Sequence, residues 1–228
     1  MNPEAEGTST SRSEAWPLPP HVQLRDFLPE DERRALLDWA TRNEGEFRTA
    51  KVINDSGHSK SLVDPELRIG LTTRNLGPFG PTLEKRMREA LASLEQAIGT
   101  TSNATSIELE LAAHGDGAHY RPHLDVSYGE GRKIVGAKPD EDRVVSAVYY
   151  FYREPKAFSG GALRLYRFNA RPITSAVGPN DYVDLEPLQN SLVAFPSWAT
   201  HEVRRVSCPS NSFADFRFAL NCWFCRKL

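Results

Sequence analysis

The sequence predicts a mainly β fold, a sandwich or barrel buttressed by helices on one side. Three observations predict it. Both segments of helical period fall before Gly99, the apolar pattern after Gly99 changes to period 2, and turn residues separate the later runs. At 228 residues the chain is long enough for one domain with a substantial core.

Residues 1–16 are small, polar and charged and read as a flexible tail, so the domain is expected over 17–228. Val22 to Leu28 is expected as a first strand. Pro29 to Ala40 reads as a helix, with proline and acids in its first turn and Leu36, Leu37, Trp39 and Ala40 on its apolar side. Residues 45–75 mix short β-like runs with turns. Thr82 to Ile98 is the second helix, because Leu83, Met87, Ala90, Leu91, Leu94 and Ile98 recur at helical spacing and Gly99 ends it. Strands are expected at Ile107–Leu111, Val144–Tyr152, Ala162–Phe168, Tyr182–Leu185, Ser191–Phe195 and Arg217–Phe224, with turns at Gly160-Gly161, Gly178–Asp181 and 207–215.

Composition narrows the function classes. Lys and Arg total 28 against 30 Asp and Glu, a net charge of −2. No global basic field results, so neither nucleic acid nor a membrane surface is expected as a partner. No apolar run approaches the roughly 18 residues of a membrane-spanning helix. Three cysteines, Cys208, Cys222 and Cys225, are too few and too crowded for a disulfide framework. With no apolar leader in the first residues, a cytoplasmic protein is expected. The Cys222-x-x-Cys225 pair has no second ligand pair nearby and carries no zinc or redox assignment.

Three side chains carry metal chemistry. His123-Leu124-Asp125 is an H-x-D, and on an extended strand positions i and i+2 share a face. His201, 76 positions after Asp125, would complete the set from another strand. Two imidazoles and one carboxylate leave open positions on the far side of an ion, which suits non-heme Fe(II). His119 and His123 are also four apart, but Pro122 disfavours the helix that would make them a zinc pair. His21, His58 and His114 read as ordinary polar residues. In the last strand, alternation puts Arg217, Ala219, Asn221 and Trp223 on one face and Phe218, Leu220, Cys222 and Phe224 on the other. The apolar set must pack on the body of the protein, so Arg217 faces the opposite side, where its fork would suit a carboxylate.

From Leu109 to Phe224 the chain resembles the Fe(II)- and 2-oxoglutarate-dependent dioxygenases, in their prolyl-4-hydroxylase-like branch. Five segments carry the resemblance: Tyr120-Arg-Pro-His123-Leu-Asp125, Val145–Tyr150, Phe158–Leu165, Pro196–Val203 and Arg217–Phe224. The resemblance implies a double-stranded β-helix, a cupin-like jelly roll, with its core over about residues 105–226. It implies His123, Asp125 and His201 as the iron ligands. Arg217 would bind the distal carboxylate of 2-oxoglutarate, with Tyr150 hydrogen-bonding the same group. It further implies O2 as co-substrate, ascorbate as an accessory reductant, and hydroxylation of a C–H bond with release of succinate and CO2. The substrate would be a prolyl residue, an amino acid or a natural-product-like molecule, small or peptidyl. In halogenating relatives a small residue replaces the carboxylate, so Asp125 implies hydroxylation instead.

Two departures from the branch stand out. Many relatives carry a Tyr in the strand before H-x-D, where this chain reads Ala112-Ala113-His114. The 16 positions from His201 to Arg217 are more than usual, and Cys208 to Asp215 reads as an inserted surface loop; were Arg217 displaced by it, Arg164, Arg204 or Arg205 would replace it. Ser127 to Arg143, long and rich in glycine, is expected to be a substrate lid. A cupin-type isomerase, which would not need Arg217, or a non-oxidative binding protein, which would be expected to lose a metal ligand, is the alternative on the same fold. A zinc hydrolase would need a general base that no motif supplies.

Overall fold

The computed structural model describes residues 17–53, 61–126, 141–168, 170, 177–178 and 180–228. Two antiparallel sheets carry the fold. The larger runs, edge to edge, through Val22–Leu24, Ser191–Pro196, Glu141–Phe151, Arg217–Lys227, Ser106–His114, Leu71–Thr73 and Arg48–Thr49. The smaller runs through Tyr182–Leu185, Leu163–Tyr166, His201–Val203, His119–His123 and Arg68–Ile69. Neighbours in each sheet are mostly distant in sequence, as in a jelly roll, and two further short pairs join Val52–Ile53 with Ser61–Leu62 and Ser159–Gly160 with Val206–Ser207.

Period-2 alternation divides each strand of the larger sheet between two environments. From Glu141–Phe151, residues Val145, Ala147, Tyr149 and Phe151 join the main core, as do Leu192 and Ala194, Leu111 and Ala113, and Phe218 and Leu220 from neighbouring strands. Tyr150, Val193, Phe195 and Ala219, on the reverse face, pack with Leu163 and Leu165 of the smaller sheet. The two sheets therefore face each other.

The main core is closed by two helices. Helix α1 (Glu30–Arg42) begins after Pro29, carries Glu30, Asp31 and Glu32 in its first turn, and buries Leu36 and Ala40. The acids complement the positive end of the helix. Helix α2 (Gly80–Ile98) buries Leu83, Met87, Leu94 and Ile98, one stripe at helical spacing, and stops at Gly99 in the left-handed region. It starts two residues before the expected Thr82. Among the described residues no helix is long and apolar enough to cross a membrane.

Several expectations need correction. The first strand stops at Leu24, because Asp26 takes a positive φ of 52° and turns the chain. Asp125 lies beyond the strand that holds His123, which ends at His123 itself. The 208–215 segment is more than a surface loop: Cys208 is buried, and Phe213, on a short 3-10 turn, enters the main core against Phe47 and Phe218. Of the expected lid, residues 127–140 lie outside the described residues, and Glu141 to Arg143 open a strand. The expected tail, 1–16, and His58 also lie outside them.

Candidate active site

Between the sheets lies a cleft of about 560 Å³, mouth included, and its lining contains His123, Asp125, His201, Tyr150 and Arg217. Strand pairing sets the first contacts. His123 and His201 are direct partners on adjacent antiparallel strands, their rings 4.2 Å apart. Asp125 reaches the same point from the bend after its strand, held there by its backbone N–H to the Ser197 carbonyl at 3.1 Å. Its Oδ1 is 3.9 Å from His123 Nε2 and its Oδ2 is 3.5 Å from His201 Nε2. One ligand atom from each of the three lies within 4.8 Å of the others, a set able to hold a metal ion.

The surroundings orient these donors. His123 Nδ1 contacts the Arg121 carbonyl and His201 Nδ1 the Ala199 carbonyl, each at 2.8 Å. A carbonyl can only accept, so each Nδ1 carries the proton and each Nε2 keeps a free lone pair toward the cleft. Tyr120 stacks on His123 at 3.5 Å, and Phe195 meets His201 edge-on. Burial, then the neighbouring His201, lowers the His123 pKa. Burial pushes the Asp125 carboxyl up, but His201, His123, Arg143 and the Ser146 hydroxyl outweigh it and hold the group below the usual value. A neutral His123 imidazole beside an ionised Asp125 carboxylate is the kind of donor set a divalent metal requires.

The closed end of the cleft is built from a different pair. Arg217 is 1% exposed and Tyr150 fully buried, with the guanidinium 4.6 Å from the Tyr150 ring centre. The Tyr150 hydroxyl and Arg217 Nε and Nη2 make no hydrogen bond of full geometry among the described residues, and the hydroxyl and the guanidinium lie close enough to interact with each other. Buried donors are rarely left unpaired, because each such group costs about 1–3 kcal/mol. Three together at the end of a cleft form a cradle for an anionic oxygen group, and a carboxylate fits it.

The expected alternatives to Arg217 are placed elsewhere. Arg164 makes two 2.7 Å bonds to Asp184, Arg204 pairs with Glu202 at 2.7 Å, and neither they nor Arg205 line the cleft. His114, read from sequence as ordinary, is a correction: it is buried, lines the cleft, and its Nδ1 lies 3.0 Å from Arg217 Nη1. It shares a strand face with Ala112, and alternation was the signal for it. Ser146 was also missed, although it lies four residues before Tyr150 on the same strand face. His119 and His21 are outside the lining. Cys222 packs in the main core, while Cys225 lies beside Glu108, and burial pushes both thiols up.

Comparison with known proteins agrees with this geometry. Residues 109–225 match the model of the 2OG-Fe(II) oxygenase superfamily. An uncharacterized PKHD-type hydroxylase of Synechocystis is 30% identical over 227 residues, covering 98% of this chain and 69% of the relative. Among solved structures, a Pseudomonas putida prolyl-4-hydroxylase superposes with a TM-score of 0.62 at 23% identity, over 92% of this chain and 94% of that one. A Trichoplax adhaerens prolyl hydroxylase, in complex with a peptide fragment of the hypoxia inducible factor oxygen degradation domain, gives 0.58 at 18% identity, over 90% and 83%. The structural likenesses speak for the jelly-roll fold. The chain thus belongs to the 2OG-Fe(II) oxygenase superfamily, with a PKHD-type hydroxylase among its relatives, and is an Fe(II)- and 2-oxoglutarate-dependent dioxygenase.

Proposed function

We propose that the protein hydroxylates an unactivated C–H bond, with His123, Asp125 and His201 as the iron ligands and Arg217 and Tyr150 as the site of the 2-oxoglutarate distal carboxylate. The observation that carries this reading is the cradle of Tyr150 Oη, Arg217 Nε and Arg217 Nη2 in the same cleft as the converging trio. A metal-binding isomerase would have no use for such a cradle, and this disfavours that alternative.

In the overall reaction one oxygen atom of O2 enters succinate, the other enters the hydroxylated product, and CO2 leaves. Fe(II), when bound, supplies the redox chemistry that activates O2. The chain's own residues do the rest. His123 and His201 present neutral Nε2 atoms, Asp125 supplies the negative charge, and Arg217 and Tyr150 fix the far end of the co-substrate. Tyr120 covers one face of His123, while Val148, Asn221 and Trp223 line further cleft wall. We read residues 17–228 as one domain, supported by the cores that both sheets and both helices share. The substrate is a small molecule or a peptide segment, the latter supported by the peptide held by the Trichoplax adhaerens relative.

Anaerobic addition of 2-oxoglutarate to the Fe(II)-loaded protein should produce a weak visible charge-transfer band. Mass spectrometry of products across a panel of prolyl peptides, amino acids and small metabolites should then show a gain of one oxygen. No band from folded, iron-loaded protein would overturn the reading.

A further inference from the structure

We infer that His114 is a positioning residue for the co-substrate: its imidazole engages one edge of the Arg217 guanidinium and leaves the opposite edge as the fork that receives the carboxylate. The inference rests on the assignment of Arg217 made above and adds to it a residue that the family pattern does not supply at Ala112-Ala113-His114. His114 and Arg217 are direct partners in the antiparallel register of the two strands. Their side chains meet at 3.0 Å between Nδ1 and Nη1. A guanidinium can only donate, so Nδ1 must accept and the imidazole proton sits on Nε2.

The consequence follows from which donors remain. Among the described residues the two guanidinium nitrogens without a hydrogen bond of full geometry are Nε and Nη2. Together they form one side of the planar group, with parallel N–H bonds spaced for the two oxygens of a carboxylate. Gly161 keeps that side open. A Cβ there would lie 2.7 Å from Arg217 Cδ and 3.1 Å from Nε, and Gly161 also has a φ of +72° that side chains disfavour. The Tyr150 ring packs against the guanidinium. Burial, followed by the charges of Arg217 and Arg68, holds the imidazole in the neutral form able to accept. Without an acceptor at position 114, Nη1 would itself be a buried, unpaired donor, and the group would gain by turning away from the pose that presents Nε and Nη2.

The test compares His114→Leu, His114→Asn, His114→Gln and Arg217→Ala. Each is titrated anaerobically with 2-oxoglutarate on Fe(II)-loaded protein, and separately with Mn(II) alone. His114→Leu should weaken 2-oxoglutarate binding roughly tenfold, the scale of one hydrogen bond to a charged group, and leave Mn(II) affinity unchanged. His114→Asn, whose Oδ1 can stand where Nδ1 stood, should recover most of the affinity and bind more tightly than His114→Gln. Unchanged 2-oxoglutarate affinity in His114→Leu would overturn the inference, as would loss of Mn(II) affinity alongside it. Should the leucine variant not fold, equal affinities in the Asn and Gln variants would overturn it. Arg217→Ala keeps the two levels apart: if it binds 2-oxoglutarate like the parent, the assignment of Arg217 fails. If it loses affinity while His114→Leu does not, only the role of His114 fails.

Discussion

Ser146 donates its hydroxyl to Asp125 Oδ2 at 2.7 Å, so a residue of the larger sheet fixes a carboxylate on the bend that follows a strand of the smaller one. Ser197 meets the same hydroxyl at 2.9 Å. Asp125 stands on a bend and lacks the rigidity of a strand, and this hydrogen bond substitutes for it. Groups that orient a metal ligand typically change affinity by 10–100-fold when removed. Ser146→Ala should therefore weaken Fe(II) binding by roughly tenfold or more while activity at saturating iron falls less, as read by turnover against iron concentration. Equal iron dependence in the two proteins would contradict it.

Removal of any of His123, Asp125 or His201 should abolish both metal binding and turnover, because each takes away one of only three converging donors. Circular dichroism of the three alanine variants should remain that of the parent, since the main hydrophobic core lies on the opposite face of the larger sheet. Full activity in Asp125→Ala would refute the trio.

Arg217→Ala should raise the apparent KM for 2-oxoglutarate by roughly one to three decades, from about 1.5–3 kcal/mol per hydrogen bond to a charged group. Arg217→Lys should fall between, because it keeps the charge and loses the fork. Tyr150→Phe should have the smallest effect of the three. Steady-state kinetics with varied 2-oxoglutarate checks the ranking.

Asn190 ties the first helix to the sheet. Its Oδ1 accepts from the Leu28 N–H at 3.0 Å and from the Tyr149 hydroxyl at 2.9 Å, and its Nδ2 donates to the Leu28 carbonyl at 2.8 Å. It also holds a φ of +54°, which alanine adopts reluctantly. Asn190→Ala should cost about 2–4 kcal/mol of stability, and Asn190→Gly somewhat less, because glycine removes only the hydrogen bonds. Urea denaturation measures both, and a difference below measurement error would count against the tie.

The metal-free protein should lose stability in mild acid. Burial holds His114 well below the ordinary imidazole value of 6.5, and burial with His201 lowers His123. Both are neutral when folded and take up protons on unfolding as the pH falls below 6.5. Stability is therefore complete above that value and declines below it, by about 1.4 kcal/mol per pH unit for each proton bound. Denaturation midpoints at pH 7 and pH 5 should differ, and less so in His114→Asn. A flat profile would show that neither imidazole is held neutral.

Much of this architecture was legible because alternation is a local property. The faces of Arg217–Phe224 followed from counting by twos, and the long buried strands behaved as their apolar sets required. The short strands between residues 48 and 73 were legible only as β-like runs without bounds, since pairings of two or three residues leave no period to read. His114 looked ordinary for a related reason. Its partner lies 103 residues away, and only the register of two strands brings them together. Phe213 was hidden by its polar neighbours: Ser210, Asn211 and Ser212 made a loop, and one aromatic side chain anchors that loop in the core.

The exposure gradient along the cleft has a temporal meaning. Arg217 and Tyr150 are buried within it, whereas the His123 side chain is 17% exposed. On the assignment proposed here, a dicarboxylate takes a more deeply buried seat than the metal-binding trio, and the substrate shares the cleft that Trp223 and Asn221 help to line. On that assignment depth sets an expected order, co-substrate before the molecule to be oxidised, and pre-incubation with the latter should slow the binding of 2-oxoglutarate.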